Sequence, residues 1–475
     1  DHSLFTGLVV RQFVAAGRSG STLTVQLKDA SVLMTRARDS AVYTEQSDTE
    51  IIKSLISDAG LSAGTVPATK PAHPEIVRYR STAWDFLVLR ADAQGLLVVA
   101  DAGEITLAPM EVTGSAAHSF EFGLDPLHSI QLELDGESQF KGVKSTAWDP
   151  AAQAMSGATS AVEPQTGAWD GAKVAGSIGT AECALMSGVP LDPDELKAWA
   201  DGHLARNRLA LERGSLTIPG KGDIALLDEM EIAGVGSRLS GTTMVTGLGH
   251  HVSDGGWVTD VHFGLRPDYF HSEPEIAEPA AAGLLAPVGG LQIGVVADFE
   301  EDPSEEFRLR VLVPGVSSDS QVWARLSAPD AGAERGWFFR PEVGDEVVLG
   351  FLNDDPRQAI VLGSLHSSAI PPHPDLPIDA DNVVKGIVTR AGTVLEFSDA
   401  EKPAVRIETP NANQILLDDD AEEITITDQH GNSATLSADG VTVKSAKDLI
   451  FEADGDIKVE AGGNVEIKGS KVDVK

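Results

Sequence analysis

A chain of 475 residues is too long for one hydrophobic core and, at roughly 100–200 residues per domain, reads as about three domains. With 72 acidic against 36 basic side chains its net charge is −36, which repels phosphate backbones and argues against nucleic-acid binding. No run approaches the roughly 18 apolar residues that span a bilayer, and the single Cys183 excludes an internal disulfide or a cysteine-rich metal site.

Apolar residues make up 42% of the chain, and 47 Gly with 25 Pro punctuate short, alternating apolar runs. That combination reads as a mainly β, multidomain protein with a few helices. The chain opens on Asp1 with no signal-peptide pattern behind it, so cleaved export is unsupported but not excluded, and whether Asp1 is the native N-terminus is left open.

Residues 1–272 are mixed. Leu23–Leu27 and Ser129–Leu134 alternate and read as strands. Ser47 with Glu50 three residues later is a capping box, and its helix runs through Ile51, Ile52, Leu55 and Ile56 to Gly60. A further helix is expected over 84–94, closed by Gly95. Asp192, Pro193 and Glu195 open another, which continues through Leu196, Trp199, Leu204 and Leu209 and stops near Gly214, with Gly202 a weak point inside it. Ser81-Thr82-Ala83-Trp84-Asp85 recurs unchanged as Ser145-Thr146-Ala147-Trp148-Asp149, which suggests two related barrels here. Cys183 is expected as a small buried apolar residue.

His250, His251 and His262 with Asp254 and Asp260 invite a metal reading. Alternation in a hairpin turning at 253–256 instead sends His250 and His251 to opposite faces. Gly214–Lys221 is one residue too long for a phosphate loop, and Gly222 stands where Ser or Thr is needed. No Gly-x-Ser-x-Gly elbow occurs, and a carboxylate pair for glycoside cleavage cannot be singled out in so acidic a chain. No catalytic residue, metal or cofactor is expected.

Residues 273–289 read as a linker, and 290–366 as a small barrel. Its strands are expected at Leu291–Ala297, Arg308–Pro314, Val322–Leu326, Gly336–Arg340, Glu346–Phe351 and Ile360–Leu365, the number and span of an OB-type barrel. Trp337, Phe338 and Phe339 would supply its large aromatic area, and Gly344-Asp345 a tight turn. Residues 367–391, with Pro371-Pro372-His373-Pro374 and Pro377, read as a Pro-rich collar.

The last segment, 392–475, carries the clearest periodicity. Val441, Leu449, Ile457 and Val465 recur every eight residues, and Val443, Phe451, Val459 and Ile467 follow them two residues later. Each apolar–x–apolar triplet is a short strand with both side chains on one face. Fully extended, eight residues span only about 26–29 Å, too little to wrap a core alone. Three chains, each supplying one wall of an intertwined β-helical prism, would pair every strand and leave no open edge. Residues 392–440, with Val405/Ile407, Ile415/Leu417, Ile424/Ile426 and Leu436, look like longer repeats of the same kind. An ordinary meander and a single-chain solenoid are the alternatives. Asp418-Asp419-Asp420 with Glu422-Glu423 reads as a solvated turn, since a calcium loop needs a different spacing. Val472 and Val474 fall one residue early, and the turn they form is expected to end open at Lys475.

A resemblance gives these pieces a common setting. Val322-Trp323-Ala324-Arg325, then Arg335-Gly336-Trp337-Phe338-Phe339-Arg340-Pro341-Glu342-Val343-Gly344-Asp345, then Asp354-Asp355-Pro356-Arg357, resembles the OB domain of VgrG proteins and of contractile phage tail spikes. Trp84–Leu97 looks like their hub domain. The resemblance implies a hub (1–272) whose two similar subdomains give a trimer pseudo-sixfold symmetry for meeting a hexameric tube. It implies a membrane-puncturing needle, with inner-tube, baseplate and PAAR-like tip proteins and effector cargo as partners. The target envelope would be met transiently, after assembly in the cytoplasm and delivery outside the cell. A trimeric tailspike that hydrolyses glycans, or an adhesin binding sugars through the barrel, is the rival reading.

Overall fold

The computed structural model describes residues 3–161, 164–179, 181–273, 276 and 278–474, and it divides into two units, Asp1–Pro279 and Ala280–Lys475. Strand outweighs helix, 39% against 14%, as the alternating, glycine-rich sequence requires.

In the first unit the capping box forms as read. The Ser47 amide donates to Glu50 Oε2 at 2.8 Å, the Ser47 side chain receives the Glu50 amide, and helix α1 covers Asp48–Asp58. Helix α2, Ala83–Ala93, is capped by Thr82 and closed by Gly95 at φ +68°. Ile51, Ile52, Leu55 and Ile56 of α1 pack with Phe86, Leu87 and Ala91 of α2 and with Leu96, Ile105 and Leu107 of the strands that follow. Helix α3, Gly171–Ser177, was not legible because its small residues show no apolar period. Helix α4, Pro193–Ala210, ends earlier than the expected Gly214 because a strand, Glu212–Pro219, begins there.

A buried polar clamp ties three of these helices together. Asp48, fully buried at the start of α1, takes Arg90 Nε at 2.7 Å and Nη2 at 3.0 Å, Gln94 Nε2 at 2.7 Å and His73 Nε2 at 3.2 Å. Arg90 also reaches Glu195 of α4 at 2.9 Å. Burial by itself would push the Asp48 carboxyl up. The Arg90 guanidinium, helped by His73, outweighs burial and holds the group below the usual carboxylate range.

Gly202 is not a weak point of α4. A Cβ there would fall 2.6 Å from the Gly95 Cα, so the glycine lets the middle of α4 touch the end of α2. The two identical pentapeptides also part company. Thr82 to Asp85 cap and open α2, whereas Ser145 to Asp149 lie inside the strand Val143–Asp149. The match therefore does not mark equivalent positions. The barrels expected in this region are represented, in one chain, by open sheets. One has six strands, in the order His118–Glu121, Glu229–Ala233, Gly241–Ser253, Gly256–Phe263, Glu212–Pro219, Ser129–Leu134. Another has three, in the order Ala154–Thr159, Val143–Asp149, Cys183–Ser187. A separate ribbon pairs Leu8–Gly17 with Gly20–Lys28.

The second unit begins with the small barrel, and its strands close. Gln292–Asp298, Leu309–Leu312, Gln321–Leu326, Ala359–Ser364 and Glu346–Phe351 form the ring. Its core is aliphatic: Val296, Leu309, Val311, Val313, Ala324, Val347, Leu349, Ala359 and Val361. The strand expected at Gly336–Arg340 is absent. A two-rung hairpin, Ala331–Gly332 with Arg335–Gly336, stands in its place. Beyond the barrel a seven-stranded antiparallel meander starts at Val384, inside the segment read as collar.

Two predictions follow from the packing of the first unit. Gly202→Ala adds a methyl against backbone, so it should destabilise the protein, opposite in sign to the gain of about 1 kcal/mol usual for Gly to Ala in a helix; chemical denaturation measures it. Glu212 is buried, neither of its carboxyl oxygens has a hydrogen-bond partner among the described residues, and burial pushes its pKa from 4.5 up to about 7. A raised folded pKa means the stability it contributes is full below about pH 4.5 and is lost as pH rises through 7. Glu212→Gln should flatten that slope and recover about 3 kcal/mol at pH 8, read from denaturation midpoints at pH 5 and pH 8.

Candidate assembly surface

The meander is built by turn chemistry. Its strands, Val384–Val388, Val394–Ser398, Ala404–Glu408, Gln414–Asp418, Glu423–Thr427, Ser433–Ser437 and Gly440–Lys444, pair in sequence order. Thr409 O accepts the Ala412 amide at 2.9 Å, Asp428 Oδ1 accepts the His430 and Asn432 amides at 2.9 Å, and Gly392, Gly431 and Gly440 take positive φ. Asp418 Oδ1 accepts the amides of Asp420 and Ala421, so the acidic run 418–423 is a turn as expected. The expectation of braided repeats over 392–440 is corrected. These strands close their ladders within one chain, and Val441 and Val443 sit on the last of them.

The register lines up two apolar rows on one face. Leu395, Ile407, Ile415, Ile426, Ala434 and Val443 are successive cross-strand neighbours, and so are Phe397, Val405, Leu417, Ile424, Leu436 and Val441. The opposite face is mainly polar, with Arg406 joined to Glu396 at 2.5 Å and to Glu408 at 2.8 Å, though Val394 and Leu416 also lie on it. Phe397, Ile407, Ile415, Leu417, Ile424, Ile426 and Leu436 stay exposed, because nothing among the described residues covers the apolar face.

Past Lys444 the apolar doublets continue without strands. Residues 449–474 make no backbone–backbone hydrogen bond among the described residues. The eight-residue period nevertheless persists. Leu449, Ile457 and Val465 are 51–55% exposed, and Phe451, Val459 and Ile467 are 72–74% exposed. Lys458–Glu460 and Lys468–Glu466 pair at 2.6 Å beside successive doublets. Burying one such side chain fully is worth about 1.5–3 kcal/mol. Lys475, the end of the last turn, lies outside the described residues.

The barrel motif is also placed outward. Trp337, Phe338 and Phe339 are exposed, not part of the core; Trp337 lies 6.0 Å from Phe339, and Arg340 stacks 4.4 Å over Phe299. Trp323 is half-buried between Arg308 and Arg310. Arg335 pairs with Asp330 at 2.8 Å next to Gly336. Gly344, at φ +94°, and Asp345, which accepts the Glu342 amide at 2.8 Å, make the turn as read.

His250 bonds Thr259 at 3.0 Å and His251 pairs with Asp260 at 3.0 Å, from opposite faces of their hairpin, and the described residues hold no cluster of three or more metal-ligating side chains. Cys183 is half-buried rather than fully so, 3.8 Å from His203 Nε2, and burial raises its thiol pKa. No helix among the described residues is long and apolar enough to cross a membrane. The expected strand Leu23–Leu27 is present within Gly20–Lys28, but sequence reasoning missed its partner Leu8–Gly17, although the alternation flanking Gly17-Arg18-Ser19-Gly20 was a usable signal.

Comparison with known proteins places three matches along the chain. Residues 1–254 match the Alg8 N-terminal domain, 292–366 the type VI secretion system/phage-baseplate injector OB domain, and 404–475 the phage baseplate V C-terminal trimerisation domain. The actin cross-linking toxin VgrG1 of Vibrio cholerae is 28% identical over 42% of this chain and 18% of its own length. The type VI secretion system spike protein VgrG3 of Vibrio cholerae is 28% identical over 34% of this chain and 16% of its own. The chain thus spans under a fifth of either relative. Among solved structures, a 43 kDa prophage MuSo2 tail protein from Shewanella oneidensis aligns with a TM-score of 0.42 and 14% identity, over 56% of this chain and 79% of that one.

Because the barrel core is aliphatic, Trp337→Ala should move its stability by no more than about 0.5 kcal/mol. Leu349→Ala, inside the core, should cost about 2–5 kcal/mol, measured by denaturant titration of the full chain.

Proposed function

Because the chain belongs to the Alg8 N-terminal-domain family and carries the OB and trimerisation domains of VgrG-like spikes, we propose that three copies form the structural hub and spike of a contractile injection system. In this reading residues 1–272 are the hub, 273–289 the linker, 290–366 the OB domain and 367–391 a collar that overlaps the first needle strand. The hub joins an inner tube and baseplate to the needle. The needle core is Val441, Val443, Leu449, Phe451, Ile457, Val459, Val465 and Ile467.

The observation that carries the reading is the row of apolar doublets left uncovered from Leu395 to Ile467. Packed three-fold, they would fill a column closed by interchain hydrogen bonds, and an axial thrust would fall on that column and not on single side chains. No catalytic step is assigned to the chain. A PAAR-like tip would cap the last turn, effector cargo would ride with it, and the target envelope would be met only on firing. Assembly in the cytoplasm and delivery outside the cell belong to the same proposal, as does the absence of a nucleic-acid partner.

The mass of the full chain in solution tests it. Light scattering should give three times the 49.9 kDa of one chain, and Ile457→Asp with Val459→Asp should shift the protein toward the single-chain mass. A folded single chain in the unsubstituted protein would overturn the proposal.

A further inference from the structure

The ribbon at the start of the chain has no covering of its own. Its strands are ten and nine residues long, and every residue in them is exposed. An isolated two-stranded hairpin is marginal in water at best. The register sets Val9 against Leu27, Gln12 against Val25 and Val14 against Leu23, so five aliphatic side chains share one face. Both outer edges lack strand partners within the sheet, which leaves two rows of unpaired backbone groups. The ribbon is also a basic island. Residues 8–28 contain Arg11, Arg18 and Lys28 and no acid, in a chain whose net charge is −36.

A matching edge exists on the same unit. Ala154–Thr159 (Ala-Met-Ser-Gly-Ala-Thr) is the outer strand of the three-stranded sheet and pairs only with Val143–Asp149. It carries no charge and no proline, the devices that keep edge strands single. The edges of the six-stranded sheet do carry them, Glu121 on one side and Glu133 on the other. The far edge of the three-stranded sheet, Cys183–Ser187, is shorter, and its Cys183 and Leu185 already pack with Leu204 of α4.

We propose that the Leu8–Lys28 ribbon of one copy adds as strands to the Ala154–Thr159 edge of a second copy of this chain, strapping neighbouring hubs together. The inference rests on the trimeric reading, because the trimerisation domain matched at 404–475 would hold other copies at high effective concentration. Strand addition supplies the missing backbone partners, and alternate side chains set the register. The receiving edge is neutral, but a second copy carries a net charge of −36, which the ribbon's three cations favour over a basic partner.

Cysteine cross-linking of the full-length protein decides the matter. In a Cys183→Ser background, Ser156→Cys is combined with one further cysteine walked from Ser21 to Leu27, and each variant is mildly oxidised. The expected result is covalent dimers and trimers on a non-reducing gel, at one or two positions of the walk and reversed by reductant. A threefold mass with no interchain disulfide at any position, or with intrachain disulfides only, overturns the strap and leaves the trimeric spike standing. A single-chain mass sinks both together.

Discussion

Strands that present apolar doublets and open backbone groups, with nothing among the described residues to meet them, call for completion from outside. The second unit turns on that constraint. The same apolar–x–apolar doublet recurs from Leu395 to Ile467, but it is handled in two ways. Up to Lys444 the connections contain residues that reverse the chain, including Gly392, Gly431 and Gly440 at positive φ, so each doublet meets the next within the chain. Beyond Lys444 the glycines at 455, 462 and 463 do not take positive φ, and the doublets stay unpaired among the described residues. One chemical unit thus makes an in-chain sheet up to Lys444 and, in the proposed trimer, would make an intermolecular wall beyond it.

The first unit divides its interactions along a similar line. Several buried charges are paired internally, most tightly where Asp48, Arg90 and Glu195 join α1, α2 and α4, while Glu212 is left without a partner among the described residues. Removing one partner of such a buried set leaves the others uncompensated, at a cost of about 3–5 kcal/mol, so the clamp fixes helix placement more than it adds net stability. Gly95 and Gly202 complete the same junction by close backbone approach. Apolar surface is treated in the opposite way, with the Leu8–Lys28 ribbon left wholly exposed. A buried ion-pair junction beside an exposed apolar ribbon is what the proposed assembly would require of this unit.

Much of this was legible in sequence because it rests on local rules. The Ser47–Glu50 box, the Gly95 stop, the Gly344-Asp345 turn and the doublets at Val405/Ile407, Ile415/Leu417 and Ile424/Ile426 depend on neighbours a few residues apart. What failed depended on distant contacts. Gly202 looked destabilising because helix propensity says nothing of Gly95, over a hundred residues away. The repeated pentapeptide looked like a duplicated element, yet it opens a helix after Ser81 and lies in a strand at Ser145, so tertiary context overrode identical local preference. The tail's period was readable, but where it gives way to the meander was not, since Val441 and Val443 fit either pattern.

The barrel sharpens the distinction between what holds a domain together and what it offers to others. Trp337, Phe338 and Phe339 carried the sequence resemblance, and size alone placed them inside. The structure fills the interior with nine aliphatic or alanine side chains and turns the aromatics out, beside Arg340 on Phe299. A small closed barrel has little interior volume, and three large rings would overfill it, whereas Val, Leu and Ala pack it at ordinary density. The aromatic run is thereby released from stabilising the barrel. Its recognisable spelling belongs to the surface of the domain, and surfaces rich in exposed rings and arginine are those that proteins use for contact.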